Sequence, residues 1–317
     1  MRDSMRRTLR WVLDRRELRW VLLVRQELRC LLAEREDAVL ELLAGTHSRR
    51  LLAVGATYYA RMRGGDVFRV FSRDGLWVHQ GSSGFIVDRA IDTTRTLSQM
   101  EASARANWEF LYEPAPGDIV LDIGAGIGDE AYRFSRAVGP TGLVVSIEAH
   151  PETYRCLAAL CELNHLDNVR PLNLAIADVG GTVMIDDGES HVGNSIIREA
   201  SGFAVRSVTF GQLLADLGID HVDYLKMNIE GAERLAMRGV PNGLERVTSL
   251  CISCHDFRAD IGEGEGFRTK AEVAQVLRRS GFTIIPREDA SDPWIRDQLN
   301  ATRSAPSCLL PVESRPQ

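Results

Sequence analysis

The segment at residues 118–138 reads DIVLDIGAGIGDEAYRFSRAV, and it decides the fold of this chain. An apolar, strand-like run ends in three glycines at alternate positions, and a helical pattern follows at once. The rhythm then repeats, with GLVVSIEAH as a strand, PETYRCLAALCELNHL as a helix that has Pro151 in its first turn, and VRPLNLAI as a strand. Strands that alternate with helices at this spacing indicate a parallel sheet covered by helices, whose ligands bind outside the carboxyl ends of the strands.

The C-terminal half continues the alternation. FGQLLADLG precedes the strand VDYLKMNI, and a short helix at 231–238, the strand VTSLCISCH, a helix at 269–280 and the strand FTIIP follow. We therefore predict an α/β fold with a mostly parallel, doubly wound sheet. The predicted domains are a helical N-terminal extension at 1–45, an α+β region on the acceptor side at 46–112, and a cofactor-binding domain at 113–317.

The N-terminal part has a different pattern. Residues 5–43 contain no glycine or proline and read as a charged helix, which packs on its own domain or on a second copy of the chain; a basic helix on an anionic membrane surface is the alternative. AGTHSRR at 44–50 reads as a break, 65–87 as short strands joined by turns, and 92–112 as helical. A homodimer through the N-terminal helix is therefore one predicted partner arrangement.

Composition excludes several classes of protein. A hydrophobic content of 44%, a charged content of 26% and a net charge of -6 fit an ordinary globular protein and do not favour nucleic-acid binding. Six scattered cysteines do not suggest a disulfide framework, and neither a secretory signal nor a membrane-spanning run is visible. We expect a cytoplasmic protein. CISCH at 251–255 matches a haem-attachment signature, but it lies within a predicted apolar strand, where successive side chains point to opposite faces. A zinc site would need a second pair of ligands at suitable spacing, and the sequence has none, so no metal is predicted.

The glycine loop indicates the chemistry of a ligand. Gly124, Gly126 and Gly128 allow a sharp turn and a close approach of the ligand to the backbone. A dinucleotide fingerprint would need its third glycine at position 129, where this chain has Asp129, and an acid at a helix start does not suit a pyrophosphate. An NAD-dependent reductase is therefore disfavoured. A cationic sulfonium would fit the loop, with Asp122 nearby to favour positive charge.

Two further acids indicate a nucleoside. Glu148 falls at the tip of the next strand, where nucleotide-binding α/β proteins place a carboxylate that accepts from both ribose hydroxyls. Asp178, after the third strand, is placed to accept from an adenine amine; a turn-forming role before Gly180 is the alternative. A nucleoside with a cationic neighbour indicates S-adenosylmethionine as the cofactor. The predicted cofactor-binding residues are Asp122, Gly124, Ala125, Gly126, Gly128, Glu148, Ala149, Asp178 and Asn228.

These motifs resemble those of the FkbM family of S-adenosylmethionine-dependent methyltransferases. The resemblance covers residues 98–286 and is carried by VLDIGAGIGDEAYRFSRAVGPTGLVVSIEAHP, YLKMNIEGAE and CHDF. It implies a Rossmann-like, seven-stranded methyltransferase fold and methylation of a hydroxyl oxygen on a natural product or glycan. The chain departs from the family pattern at two positions, because Asn228 stands where an Asp is usual and Ser253 stands where an acid is usual. An amide holds neither a proton nor a metal as a carboxylate does.

The stretch VDYLKMNIEG at 222–231 supplies the catalytic candidates. Lys226, Asn228 and Glu230 alternate, so we expect them on one face of a strand end, directed at cofactor and acceptor. His255 is the first candidate for the general base, because imidazole titrates near neutral pH, and Glu230 is the second. Lys226 is expected to orient the acceptor or to pair with Glu230, and Glu233 is either a site residue or a structural partner.

Two functions from different classes follow. The first is an O-methyltransferase that acts on a hydroxyl of a small molecule. The second is a methyltransferase-fold protein that binds S-adenosylmethionine or a protein partner without catalysis, as the two departures suggest. The sequence does not identify the acceptor; 50–112, which includes the loop at 80–89, and 186–204 are the candidate acceptor-side segments.

Overall fold

The computed structural model describes residues 46–185, 196–197, 202–239 and 243–303. The chain divides into two compact units, residues 1–100 and 101–317. None of the described helices has the length and apolar composition needed to cross a membrane. The predicted helix at 5–43, and the dimer contact assigned to it, lie outside the described residues.

The described part of the first unit is a helix and a small antiparallel sheet. Helix α1 covers Thr46–Met62, and the strands are β1 (Arg69–Arg73), β2 (Leu76–Gly81) and β3 (Gly84–Asp88), in the order β1-β2-β3. Trp77 of β2 is fully buried and packs with the small residues Ala56 and Ala60 of α1. The short strands predicted at 65–87 are therefore present. The break predicted at 44–50 is wrong in part, because α1 already begins at Thr46.

The second unit is built on a seven-stranded sheet. The strand order is β13-β14-β12-β11-β4-β5-β6, in which β14 alone is antiparallel to its neighbours. The strands are β4 (Ile119–Ile123), β5 (Leu143–Ile147), β6 (Val169–Leu172), β11 (Val222–Met227), β12 (Val247–Ser253), β13 (Thr283–Ile285) and β14 (Gln298–Thr302). Leu121, Val145 and Leu225 are buried at the centre of the sheet, as expected of parallel strands covered on both faces. The predicted doubly wound α/β fold is confirmed.

Helices connect these strands, and a second sheet lies in the connection between β6 and β11. The helices are α2 (Leu97–Trp108), α3 (Asp129–Val138), α4 (Pro151–Leu163), α5 (Phe210–Leu217), α6 (Glu233–Arg238), α7 (Asp256–Asp260), α8 (Lys270–Arg279) and α9 (Pro293–Arg296). The second sheet has the order β7-β10-β8-β9, with β7 (Ala175–Ile176), β8 (Gly181–Ile185), β9 (Ile196–Ile197) and β10 (Phe203–Val208). Local signals start two helices, since His150 and Thr209 accept backbone N–H groups at the first turns of α4 and α5.

Two strands, β11 and β14, differ from the sequence prediction. β11 ends at Met227, and Glu230 has a left-handed backbone with φ of 51°, so the alternation does not continue to Asn228 and Glu230. β14 was not predicted at all. Its residues Gln298, Asn300 and Thr302 are polar and yet buried, so the strand lacks the near-continuous apolar run that identifies buried strands such as β5.

Candidate functional site

A cavity opens at the carboxyl ends of β4, β5 and β11. Its volume of about 860 Å³ includes the solvent space at its open mouth. Ile123, Ile147 and Asn228 mark the ends of the three strands in its wall. The strand order reverses between β4 and β11, so the cavity lies at the switch point where open α/β sheets bind ligands.

The glycine loop forms one side of this cavity. The backbone N–H groups of Gly124 and Ala125 both donate to the carbonyl of Ile147, at 2.8 and 2.9 Å. Gly124 has φ of 76°, and a β-carbon there would overlap the carbonyl of Asn228, so β4 and β11 approach as closely as glycine allows. Gly126 also lines the cavity. Gly128 does not: a β-carbon there would meet Leu157 and Leu160, so its role is helix packing.

Glu148 lies in the cavity wall and is held by two backbone groups. Its Oε2 accepts from the N–H of Gly126 at 2.9 Å, and its Oε1 accepts from the N–H of His150 at 2.8 Å. Burial raises the pKa of Glu148 to about 7, although these hydrogen bonds oppose the rise. Each carboxylate oxygen can accept a further hydrogen bond. Glu148 is therefore a rigid acceptor for two hydroxyl donors.

The wall of the cavity is acidic. Its charged residues are four acids, Asp129, Glu130, Glu148 and Glu230, and no lysine or arginine is among its described residues. Asn228 adds a buried Oδ1 that has no hydrogen-bond partner in the described chain, and Leu174, Ile176 and Ile185 add apolar surface. A pyrophosphate would lack a cation here. The donor set and the glycine cradle fit the nucleoside and sulfonium of S-adenosylmethionine, which Glu148 and Asn228 would hold.

Lys226 lies behind the cavity wall and not in it. Its ammonium is 1% exposed; it forms an ion pair with Asp122 at 2.9 Å and donates to the carbonyl of Gly124 at 2.7 Å. Burial opposes the charge, but Asp122 and Glu130 outweigh burial and raise the pKa of Lys226. The expected pairing of Lys226 with Glu230 is wrong. Neither Lys226 nor Asp122 lines the cavity, so both act on a ligand through the loop that they hold.

Glu230 and His255 belong to one buried cluster of charges. His255 Nε2 lies 3.4 Å from Glu230, and its Nδ1 lies 3.2 Å from Glu233. Burial disfavours its charged form, but the two carboxylates outweigh burial and raise the pKa of His255 to about 9. His255 is thus cationic at neutral pH, which does not favour a general base. Arg258 donates to Glu230 at 2.6 Å, so Glu230 lies between two cations and accepts a hydrogen bond from Arg258.

Glu233 holds the chain segment that follows β11. Its Oε1 accepts from the N–H groups of Ile229 and Gly231, at 3.3 and 3.2 Å, and its Oε2 accepts from the hydroxyl of Thr269 at 3.2 Å. Glu233 is fully buried and does not line the cavity. Of the two alternatives for this residue, the contacts favour the structural partner.

Other predicted residues divide between the cavity and its surroundings. Ala125 and Ala149 line the cavity, whereas Asp178 is exposed and lies outside it, beside Thr209 and Gln212. The predicted contact of Asp178 with adenine is therefore not supported, and its turn before Gly180 accounts for the residue. In the part of the chain that the structure describes, no group of three His, Cys, Asp or Glu residues is placed to hold a metal ion.

Sequence reasoning did not identify Glu130, Trp108 or Arg258. Glu130 lines the cavity, and its Oε1 accepts from the indole N–H of Trp108 at 2.9 Å. Its position directly after Asp129, in the first turn of the helix that follows the glycine loop, is the one signal that could have found it. Trp108 and Arg258 are distant in sequence from the residues that they contact, so no local pattern marks them.

A family model matches the part of the chain that contains the residues of this cavity. The model of the methyltransferase FkbM domain matches residues 122–284, which is more than half of the chain. A curated relative, the AMB antimetabolite synthetase AmbE of Pseudomonas aeruginosa, is 27% identical over 112 residues, which are 35% of this chain and 5% of that protein. The chain thus spans a small fraction of that relative.

Two solved structures are also similar. The methyltransferase FkbM of Methylobacillus flagellatus KT is 16% identical with a TM-score of 0.43, and the match covers 61% of this chain and 45% of that one. Aeropyrum pernix fibrillarin, in complex with S-adenosyl-L-methionine, is 15% identical with a TM-score of 0.40, and the match covers 75% and 100%. Because the FkbM domain model matches more than half of the chain, the chain belongs to the FkbM family of S-adenosylmethionine-dependent methyltransferases.

Proposed function

We propose that this methyltransferase transfers the methyl group to a hydroxyl oxygen of a small molecule, a natural product or a glycan. The observation that carries the proposal is the acidic cavity wall, with four carboxyl groups and no lysine or arginine among its described residues. Such a wall stabilises a cationic cofactor and disfavours anionic ones. The hydroxyl acceptor is the one that the FkbM family pattern implies.

The residues of the chain have distinct roles in this proposal. S-adenosylmethionine supplies, when bound, an electrophilic methyl group on a cationic sulfur. Glu148 accepts hydrogen bonds from the two ribose hydroxyls. Asn228 Oδ1, which has no hydrogen-bond partner in the described chain, accepts a further hydrogen bond from the cofactor. Leu174, Ile176 and Ile185 exclude water beside them. These contacts fix the position of the cofactor, which is the larger part of what an in-line displacement requires.

Glu230 is the proposed contact of the acceptor hydroxyl. It is the acid of the cavity wall that lies between two cations, with Arg258 at 2.6 Å and His255 at 3.4 Å. An ionised carboxylate accepts the hydroxyl proton in a charge-assisted hydrogen bond and orients the oxygen. His255, cationic and buried, is a positioning residue for Glu230 and not the base.

One observation favours the second candidate, binding of S-adenosylmethionine without catalysis. Asn228 stands where the family pattern has an Asp, and its amide cannot remove a proton. With His255 protonated, Glu230 is the remaining acid of the predicted catalytic set, and its carboxylate is already engaged by Arg258. A product assay separates the two functions.

The assay supplies the full chain with S-adenosylmethionine and a panel of sugars, phenols and aliphatic alcohols, and mass spectrometry detects S-adenosylhomocysteine and the methyl ether. Glu230→Gln should lower turnover by about 100-fold or more, in the range of general acid–base effects, with unchanged binding of S-adenosylhomocysteine. Glu263→Gln is the matched control, because Glu263 contacts the same Arg258 and lies at the surface. A chain that binds the cofactor and methylates no acceptor supports the second candidate.

We also propose that two copies pair through residues 1–45 and α1. Leu51, Val54, Tyr58 and Met62 are spaced three or four residues apart, so they lie on one face of α1, and each is more than half exposed. This face follows directly on the amphipathic pattern at 5–43. Light scattering should give a dimer for the full chain and a monomer for Leu51→Glu/Tyr58→Glu; a monomer in both cases contradicts the pairing. The cytoplasmic location, the absence of nucleic-acid binding and the acceptor-side role of 46–112 stay predictions.

A further inference from the structure

A cluster of four side chains behind the glycine loop holds more negative than positive charge. Lys226 Nζ lies 2.9 Å from Asp122 Oδ1 and 3.4 Å from Glu130 Oε2, and 4.9 Å from the centre of the Trp108 ring. One ammonium thus faces two carboxyl groups. When both are ionised, the cluster carries a surplus charge of about −1, and buried charge of one sign calls for a compensating partner.

The surplus charge lies on the side of the cavity. Asp122 is fully buried, is the nearer carboxylate to Lys226 and does not line the cavity. Glu130 is the more distant of the two and forms part of the cavity wall. Its Oε1 is fixed by the Trp108 indole, so the carboxyl group cannot turn away from the cavity without losing a buried hydrogen bond.

We propose that Glu130 is a specificity residue of the cofactor site, whose carboxylate favours the cationic sulfonium of S-adenosylmethionine over the neutral thioether of S-adenosylhomocysteine. Methyl transfer forms a bond between the methyl carbon and the acceptor oxygen, whose proton goes to Glu230, and breaks the bond between the methyl carbon and sulfur. The electron pair of the broken bond stays on sulfur, so the positive charge of the ligand disappears. Glu130 then takes up a proton from solvent, which leaves the cluster neutral around the product.

The charges that face Glu130 allow this exchange near neutral pH. Burial raises the pKa of Glu130 to about 7; Lys226 opposes the rise, Asp122 and Asp129 add to it, and the Trp108 hydrogen bond opposes it. A cation nearby lowers the pKa of a carboxyl group by about 1 to 3 units. By linkage, ionised Glu130 should therefore favour the cation by about tenfold or more.

Glu148 and Glu230, two other acids of the wall, are not assigned this role. Glu148 is assigned to the ribose, which is the same in both ligands, so its contribution cancels in the ratio of the two affinities. Glu230 is already paired with Arg258 and lies 3.4 Å from His255. The inference rests on the assignment of the cavity to S-adenosylmethionine, and it does not depend on which acceptor is methylated.

Calorimetric titration of the full chain with both ligands tests the inference between about pH 6 and pH 8, on either side of the pKa of Glu130 near 7. The preference for S-adenosylmethionine should rise by about tenfold across this range. Glu130→Gln, which keeps an acceptor for Trp108, should remove most of the preference and its pH dependence. Glu148→Gln should weaken both ligands and leave the ratio unchanged. A ratio that Glu130→Gln does not alter overturns the inference.

A measurement on the unaltered protein guards against a variant that does not fold. Titrations at neutral pH in two buffers of different ionisation enthalpy give the number of protons that the protein takes up when it binds each ligand. This number should be larger for S-adenosylhomocysteine than for S-adenosylmethionine. Equal counts overturn the role of Glu130 while the cofactor site stands. If neither ligand binds, the assignment of the cavity to S-adenosylmethionine is overturned. If both bind as expected but no hydroxyl is methylated, only the proposed O-methylation is overturned.

Discussion

Lys226 and Asp122 face each other in register across the parallel strands β11 and β4, and a 2.9 Å ion pair joins them in the core of the sheet. Removal of one partner from a buried pair leaves an uncompensated charge, at a cost of about 3–5 kcal/mol. We expect Lys226→Met to lower the free energy of unfolding by about that amount, measured by urea denaturation. The double variant Asp122→Asn/Lys226→Met should recover a part of the loss. A single variant as stable as the native chain would contradict this account.

Glu148 should govern the affinity for the cofactor. Glu148→Gln puts an amide N–H against one of the two backbone donors, Gly126 or His150, so we expect both cofactor and product to bind about tenfold more weakly or worse. Glu152→Gln, at the surface of α4, is the control and should bind normally. Equal affinity of the native chain and Glu148→Gln in calorimetry would place the ribose elsewhere.

The pH dependence of binding follows from the same residue. Burial raises the pKa of Glu148 to about 7, and hydroxyl donors favour its ionised form. Binding should therefore release a proton from Glu148, which favours binding at higher pH, whereas proton uptake by Glu130 opposes it for the product. The contribution of Glu148 is the difference in pH dependence between the native chain and Glu148→Gln from about pH 6 to 8; the same pH dependence in both would argue against a ribose contact at Glu148.

Gly124→Ala should be far more harmful than an alanine at another glycine of positive φ. Both Gly124 and Gly139 have positive φ, 76° and 62°, but a β-carbon at Gly124 overlaps the Asn228 carbonyl, whereas one at Gly139 meets nothing within 4 Å. Each substitution costs about 1–3 kcal/mol of backbone strain, and the overlap adds to it only at Gly124. Thermal unfolding should show a larger loss for Gly124→Ala; equal losses would mean that the strand ends can separate.

His255 should make the stability depend on pH in the alkaline range. Its pKa is raised to about 9 by Glu230 and Glu233, from an ordinary value of about 6.5. This contribution is fully present below about pH 6.5 and is lost as the pH rises through about 9, with an upper limit of about 3 kcal/mol. Urea denaturation at several pH values should show that loss in the native chain and a smaller one in His255→Gln. Identical slopes would mean that the two carboxylates do not hold the imidazolium.

Local patterns were sufficient to predict the fold and several residues that line the cavity. The strand and helix rhythm, the spacing of Gly124 and Gly126, and the position of Glu148 at a strand end are all properties of short segments. The glycines and Glu148 lie where the prediction put them, because a parallel sheet brings the carboxyl ends of its strands to one edge.

The remaining features depend on contacts between distant residues. Lys226 turns from the cavity to Asp122 because a buried ammonium needs a carboxylate, and the register that joins them is not visible in either strand alone. The pKa of His255 depends on Glu230 and Glu233, which are distant from it in sequence. Polar residues of β14 are buried by pairing with β12, which alternation cannot predict.

The burial of Lys226 also determines how the protein reacts with amine-directed reagents. The chain has two lysines, and the second, Lys270, begins α8 with about a third of its side chain exposed. An acylating label should therefore modify Lys270 in the folded protein and reach Lys226 only when the sheet opens between β4 and β11. The rate at which the peptide that contains Lys226 gains the mass of the label therefore reports how often the sheet opens between β4 and β11.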